Sequence, residues 1–288
     1  MELSNNIETT GAIERLTKDV REAAKNLPDQ EARFLVDLYY QLQDNRIRAG
    51  NQEFSMTETN EPHKVLSWFS DQQEKLELRC KQALQVYAES HPVGQWMLDI
   101  RGLGPVIAAG LLCRSNAFDK ANHVAQIWSY AGLTPEKVGR KRGEKLNHDP
   151  GMKRILWLLG ESFVKHQKVD NNDFYGVLMA RRKQYEHQEN LAGNYKEQAE
   201  KALRDKKIGK ETVAYASYSV GKLPDGHIHA RAKRWTVKIF LSHLFEIYKL
   251  HHGEIAPRPY VVAILGHADY MAPPGLEEFK ESLKLHSS

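Results

Sequence analysis

The stretch Leu98-Asp99-Ile100-Arg101-Gly102-Leu103-Gly104-Pro105-Val106-Ile107-Ala108-Ala109-Gly110-Leu111-Leu112 decides how the rest of the chain is interpreted. The stretch begins at the end of an apolar helix and contains a turn at Gly102 and Gly104. A second helix begins at Pro105, whose missing N–H costs nothing in the first turn of a helix. Leu103 lies between the glycines and is expected to be an apolar plug that points back between the two helices. The small residues after the proline let those helices approach closely. The pattern predicts a helix-hairpin-helix.

A hairpin of this kind is suited to binding a phosphate. Its glycines let bare backbone N–H groups approach a ligand, and the N-terminus of the second helix carries a partial positive charge. Together these features predict a seat for one nucleic-acid phosphate, which Arg101 would strengthen by a charge-assisted contact. The alternative interpretation is a tight corner that only packs two helices.

Composition limits the class of protein. The 288 residues are 41% hydrophobic and 27% charged, which is typical of a globular chain with a sizeable core. The formal net charge of +4 is too small to indicate a nucleic-acid partner, so the distribution of charge has to carry that argument. Cys80 and Cys113 are too few for a disulfide framework, which favours a reducing compartment. Because the sequence shows neither a signal pattern nor an apolar run of membrane-spanning length, we expect a cytoplasmic protein.

Apolar periodicity predicts helices along most of the chain. Apolar residues recur at three- and four-residue steps over residues 13–27, 29–42, 63–90, 152–165, 174–185 and 229–250. The charged segment 190–210 predicts either an exposed helix or an insertion. Residues 213–220 fit a helix or a short strand equally well.

Two segments break this periodicity. Polar residues over 49–62 predict a linker or a long loop, and four prolines after residue 256 predict an extended, irregular tail with one short strand over 260–265. We therefore predict an all-α fold in three parts. These are an N-terminal helical hairpin with its linker (1–60), a helical domain around the helix-hairpin-helix (61–255) and an extended C-terminal tail (256–288).

Basic residues concentrate in three separate segments. They are the Gly-rich stretch with Lys137, Arg140, Lys141, Arg142 and Lys145, the pair Lys153-Arg154, and a helix start with Arg231, Lys233, Arg234 and Lys238. Like charges at a helix start oppose the helix dipole, so a bound anion there would relieve the repulsion. If all three lie on the side of the hairpin, they form a surface that follows a phosphate backbone. Otherwise they are three unrelated solvated faces. We expect Trp128, Trp157 and Trp235 in the core rather than as base-stacking platforms.

The order of these motifs resembles the C-terminal domain of DEDD-type insertion-sequence transposases and the related site-specific DNA invertases. The resemblance covers roughly residues 95–250. It rests on the hairpin, a loop with Phe118, the string Tyr130-Ala131-Gly132-Leu133-Thr134-Pro135, the basic loop, Gly151-Met152-Lys153-Arg154-Ile155-Leu156, Phe174-Tyr175 and His229-Ala230-Arg231-Ala232-Lys233-Arg234. It implies a DNA-binding protein of transposition or recombination.

The chain departs from this family at both halves of its composite active site. The N-terminal nuclease domain with four spaced acidic residues has no counterpart, because the residues before the hairpin predict helices and are too few. The family's serine after the Ala-Gly-Leu-x-Pro string is also missing from residues 136–143. The resemblance therefore supports nucleic-acid binding and leaves catalysis without assigned residues.

The sequence gives weaker support for a catalytic serine, a glycosylase aspartate or a metal site. Ser115 and Ser129 lack the neighbouring base that a nucleophilic serine needs. Asp119 stands near the position of a glycosylase aspartate, but the hairpin lacks the matching lysine, and a helix cap is the simpler interpretation. The thirteen histidines include His227, His229 and His243 without cysteine or carboxylate partners at ligand spacing, so we predict neither a metal site nor a cofactor.

The sequence thus predicts a transposase-derived protein that grips the phosphate backbone. The predicted contacts are Arg101, Gly102, Leu103, Gly104, Lys137, Arg140, Lys141, Arg142, Lys145, Lys153, Arg154, Arg231, Lys233 and Arg234. Duplex DNA is the expected partner, with structured RNA as an alternative because related enzymes are guided by RNA. The N-terminal helices are expected to form a homo-oligomer, to bind a partner or to cap the main core. Two other functions remain open: a protein-interaction scaffold, and a recombinase subunit whose nuclease is another chain.

Overall fold

The predicted all-α class is confirmed by the computed structural model, which describes residues 15–57, 64–134, 143–167, 173–256 and 270–286. These ranges contain thirteen helices and no strand. The helices are α1 (Lys18–Lys25), α2 (Asp29–Thr57), α3 (Lys64–Glu89), α4 (Pro92–Leu98), α5 (Pro105–Leu112), α6 (Asn116–Asp119), α7 (Val124–Tyr130), α8 (Pro150–Lys165), α9 (Phe174–Leu191), α10 (Lys196–Asp205), α11 (Val213–Ser219), α12 (Asp225–His251) and α13 (Leu276–His286).

The chain divides into two compact units around the hairpin. The first unit comprises Met1–Leu98 with Gly104–Ser115, and the second comprises Asp99–Leu103 with Asn116–Ser288. This division differs from the three predicted parts, which stay predictions. Asp and Glu outnumber Lys and Arg in the first unit, whereas Lys and Arg outnumber Asp and Glu in the second. Within the described ranges, no helix combines the length and the apolar character that a bilayer crossing requires.

In the first unit, the two long helices α2 and α3 run antiparallel and pack along each other. The Cys80 thiol donates to the Leu35 carbonyl (3.2 Å), and farther along the pair Arg46 donates to Glu77 (2.6 Å). Helices α1, α4 and α5 pack on this pair. Burial raises the pKa of Cys80 and of Cys113 to about 11, so both thiols stay protonated near neutral pH.

The linker predicted over residues 49–62 is wrong as far as Thr57, because α2 continues to that residue. Polar residues such as Gln52 and Glu53 are ordinary helix formers. Gly50 costs only about 1 kcal/mol relative to alanine, which packing of α2 on α3 offsets. Polar composition alone therefore did not separate a solvated helix from a loop. The rest of the predicted linker lies outside the described residues.

In the second unit, α12 is the central helix, and α6, α7, α8, α9 and α13 all contact it. Its second half is almost fully buried, with Phe240, Leu241 and Leu244 each at most 1% exposed. Phe163 of α8 stacks on Tyr175 of α9 with ring centroids 4.9 Å apart. The first half of α12 is less covered, and it carries the basic residues.

The segments that the sequence left open are helical. The charged segment contains α10, whose Ala199 and Ala202 are buried in a small cluster with Tyr195, Tyr218 and Ile228. Residues 213–219 form α11, and Thr212 caps it by accepting a hydrogen bond from the Tyr215 N–H (3.2 Å).

The C-terminal tail is not extended throughout, because Leu276–His286 form α13. Pro273 and Pro274 precede this helix and so do not interrupt it. Buried Phe279 holds α13 to the second unit, and His243 Nε2 donates to the carbonyl of Met271 (2.9 Å). The strand predicted over 260–265 lies outside the described residues.

Candidate nucleic-acid interface

The first half of α12 presents three cations on one face. Pro224 stands in extended conformation before the helix, and Asp225 in the first turn suits the helix dipole. Arg231, Arg234 and Lys238 follow at steps of three and four residues, which places them on one side of the helix. Arg234 is exposed, and the other two are half-buried. We name the cationic and aromatic residues around the first half of α12 the basic face: Trp128, Lys153, Arg154, Trp157, Arg182, Tyr185, Lys233, Arg234, Trp235 and Lys238.

Burial first, and neighbouring positive charge second, lower the pKa values of these cationic residues. Although Arg234 is exposed as a whole residue, partial desolvation of its guanidinium and then the neighbouring Arg231 lower its pKa, and burial and then Arg234 lower the pKa of Lys238. Burial and the charges of Arg234 and Arg231 also lower the pKa of His227. The carboxylate of Glu186 opposes these effects more weakly at Arg234 and His227. An anionic ligand near Arg234 and Lys238 would offset both the burial of these cations and the neighbouring positive charge.

Arg231, a predicted phosphate contact, is instead committed to a buried carboxylate. Its Nε donates to Glu186 Oε2 at 2.7 Å, its Nη1 donates to Gln198 (2.9 Å), and its guanidinium lies 4.4 Å from the Tyr195 ring centroid. Arg182 Nη2 donates to the other oxygen of Glu186 at 2.7 Å. This network joins α9, α10 and α12, so Arg231 holds the unit together rather than facing a ligand.

Lys233 is fixed in position against α8. Its aliphatic stem lies across Gly160, where an added Cβ would come within 2.8 Å of Lys233 Cγ. Its ammonium forms an ion pair with Glu161 and lies 5.3 Å from the centroid of the Trp157 ring. The absence of a side chain at position 160 is what allows this crossing, so the cation beside Trp157 is held by packing.

Trp157 is exposed, contrary to the prediction that it belongs to the core. Its exposure is 58%, because it lies on the side of α8 that faces away from the buried residues Leu156 and Leu159. Lys153 and Arg154 precede it by four and three residues on the same side of α8, and both are exposed. The structure thus brings two of the three predicted basic segments together around Trp157.

The other two tryptophans of this region are half-buried and also paired with cations. Lys238 Nζ lies 5.1 Å from the Trp128 ring, whose Nε1 donates to the Lys238 carbonyl (3.2 Å). The Arg182 guanidinium lies 5.0 Å from the Trp235 ring and 4.7 Å from the Tyr185 ring. Each contact combines an aromatic surface with a positive charge.

The hairpin loop packs against a different side of α8. The Gly102 carbonyl accepts a hydrogen bond from Ser162 Oγ at 2.5 Å, and Leu103 is 4% exposed, so its side chain cannot reach a nucleic acid. Ser162 and His166 lie about 140–180° around α8 from Trp157. The Arg101 guanidinium forms an ion pair with buried Asp173 (3.2 Å). Gly104 is exposed, and α5 begins directly after it, as predicted.

Gly102 is required where the loop meets α8. Its φ is +87°, and an added Cβ would lie 2.8 Å from His166 Nδ1 and 2.9 Å from Ser162 Oγ. We expect Gly102→Ala to lower the free energy of unfolding by about 2–4 kcal/mol, from backbone strain together with the clash. Urea unfolding measures this loss, with Gly104→Ala as the control, because a Cβ at position 104 meets nothing within 4 Å. Equal losses in the two variants would contradict the account of this contact.

The other residues that the sequence singled out lie outside the described ranges, at the surface or in hydrogen bonds within the second unit. Lys137, Arg140, Lys141 and Arg142 lie outside the described residues, and Lys145 is exposed. Asp119 accepts a hydrogen bond from the Tyr248 hydroxyl (2.6 Å), and His243 Nδ1 accepts one from Tyr175 (2.8 Å). Sequence reasoning missed Arg182 and Tyr185 as part of the basic face, although the run Arg181-Arg182-Lys183 was a visible signal.

No family model, curated protein or solved structure matches this chain. The fold class and the basic face therefore define it only as an all-α protein with a positively charged, aromatic surface on its second unit.

Proposed function

We propose that this chain binds nucleic acid through the basic face of its second unit, gripping the phosphate backbone with little dependence on sequence. The observation that carries the proposal is the placement of Arg234 and Lys238 four residues apart on one side of α12, where Arg231 lowers the pKa of Arg234 and Arg234 lowers the pKa of Lys238, each in addition to burial. Cations that repel each other in this way gain free energy when a polyanion neutralises them. Phosphate contacts of this kind position a nucleic acid without reading its bases.

The salt dependence of binding tests this proposal. Each phosphate contact adds about 0.9 to the slope of log K against log salt concentration for duplex DNA, and about 0.7 for single strands. We expect Arg234→Ala to flatten the slope by about one contact, measured by fluorescence anisotropy with random-sequence probes. Lys280→Ala is the control, because it removes one cation from α13 that is already paired with Glu277 (2.7 Å). An unchanged slope in Arg234→Ala would contradict the role of the face.

The biological setting rests on the resemblance alone. A transposase-derived chain of this kind would act in DNA transposition or recombination, in the cytoplasm, and with DNA or structured RNA as its partner. Exposed Phe54, Trp68 and Phe69 on α2 and α3 support a partner or a second copy at the N-terminal helices. If the purified protein carries no nucleic acid by its absorbance ratio and binds neither probe, the interaction scaffold becomes the better hypothesis.

A further inference from the structure

Trp157 stands out among the aromatic residues of the basic face. Trp128 and Trp235 are half-buried, whereas Trp157 has more than half of its surface exposed. The structure also holds charge beside it: Lys233 is fixed by Gly160 and Glu161, and Lys153 and Arg154 share its side of α8. An exposed indole flanked by cations is complementary to a ligand that carries a flat π surface and a negative backbone.

A nucleotide has both properties, but only when its base is unpaired. In a duplex the faces of the bases are covered by their neighbours, so an indole on the protein surface meets only sugar and phosphate. In a single strand each base can leave the stack and lie on an aromatic side chain, and its phosphates remain within reach of nearby cations. Stacking of this kind contributes about 1–3 kcal/mol per base and tolerates any sequence.

We infer that the basic face binds single-stranded nucleic acid, with an unpaired base stacked on the Trp157 indole and the adjoining phosphates near Lys153, Arg154 and Lys233. This inference rests on the proposed function and specifies its ligand. The cation–π contact with Lys233 orients the indole in advance, so little side-chain freedom is lost when the base binds.

The test compares two probes, a single-stranded oligonucleotide of mixed sequence and the same sequence as a duplex. We expect Trp157→Ala to weaken binding of the single strand by about 5- to 150-fold, the range that corresponds to one stacked base. Duplex binding should change by less than about twofold, because the phosphate contacts are unaffected. Trp157→Phe should recover most of the lost affinity, since it restores an aromatic face. Phe34→Ala is the matched control, because Phe34 is 67% exposed on the first unit and should leave both affinities unchanged.

The outcomes separate the two claims. If Trp157→Ala weakens both probes equally or neither, the stacking inference is overturned, while the salt slope of Arg234→Ala still decides the proposed function. If the wild-type protein binds neither probe at low salt, the proposed function fails and the inference with it. If Trp157→Ala unfolds at the same temperature as the wild-type protein, its loss of binding does not come from a loss of fold.

Discussion

Replacing Glu186 with glutamine lowers the free energy of unfolding by about 3–5 kcal/mol, the usual cost of removing one partner from a buried ion pair. The Glu186 carboxylate is 1% exposed and accepts hydrogen bonds from Arg182, Arg231 and Tyr195. Burial acts to raise the pKa of Glu186, but these three donors outweigh it and hold the pKa below its usual value. The neutral amide leaves two guanidinium groups without the charge that compensates them.

Chemical denaturation of Glu186→Gln against wild type at neutral pH measures this loss. Asp205→Asn is the control, because the Arg204–Asp205 pair is exposed and such pairs contribute about 0–1 kcal/mol. Because the network joins three helices, the variant should also lose the protection of α10 in hydrogen exchange. A loss no larger than that of the control would show that the network does not hold these helices together.

Acidification from pH 7 to pH 4 removes about 3 kcal/mol of stability through His243 alone. Burial lowers the pKa of His243 to about 4, from 6.5 for an ordinary histidine, against a smaller opposing effect of the hydrogen bond to Met271. The fold therefore contains the neutral imidazole, and the unfolded chain takes up a proton first. This stability is fully present above pH 6.5 and is lost as the pH falls through 4.

Urea unfolding of wild type and His243→Gln at several pH values between 7 and 4 measures this effect. The variant should be less stable at pH 7 and should lose less stability on acidification, because glutamine does not titrate. Val237→Ala serves as the control, since Val237 is buried on the same helix without a titratable side chain, so its replacement should lower stability equally at every pH. Parallel pH profiles for wild type and His243→Gln would contradict the assignment.

The sequence predicted what local patterns determine. Apolar periodicity predicted α3, α8 and α12 to within a few residues, and the Gly-Pro pattern predicted the start of α5 at Pro105 and the burial of Leu103. It failed where the outcome depends on distant partners. The sequence pattern predicts that Arg231 is a surface cation, but in the structure it donates a hydrogen bond to Glu186, which is 45 residues away in the chain. Trp157 lies off the apolar stripe that Met152, Ile155, Leu159 and Phe163 form on α8, so its exposure was visible in the periodicity, and the prediction of burial followed residue type instead.

Photo-crosslinking tests the location of the bound strand most directly. A single-stranded oligonucleotide that carries 5-bromodeoxyuridine is bound to the full chain, irradiated, and the crosslinked peptides are identified by mass spectrometry. Our account predicts that the wild-type protein crosslinks at Trp157 on α8 and within the first half of α12. In Trp157→Ala, the crosslink at position 157 should be lost. Crosslinks confined to the hairpin around Gly104, or to the first unit, would contradict it.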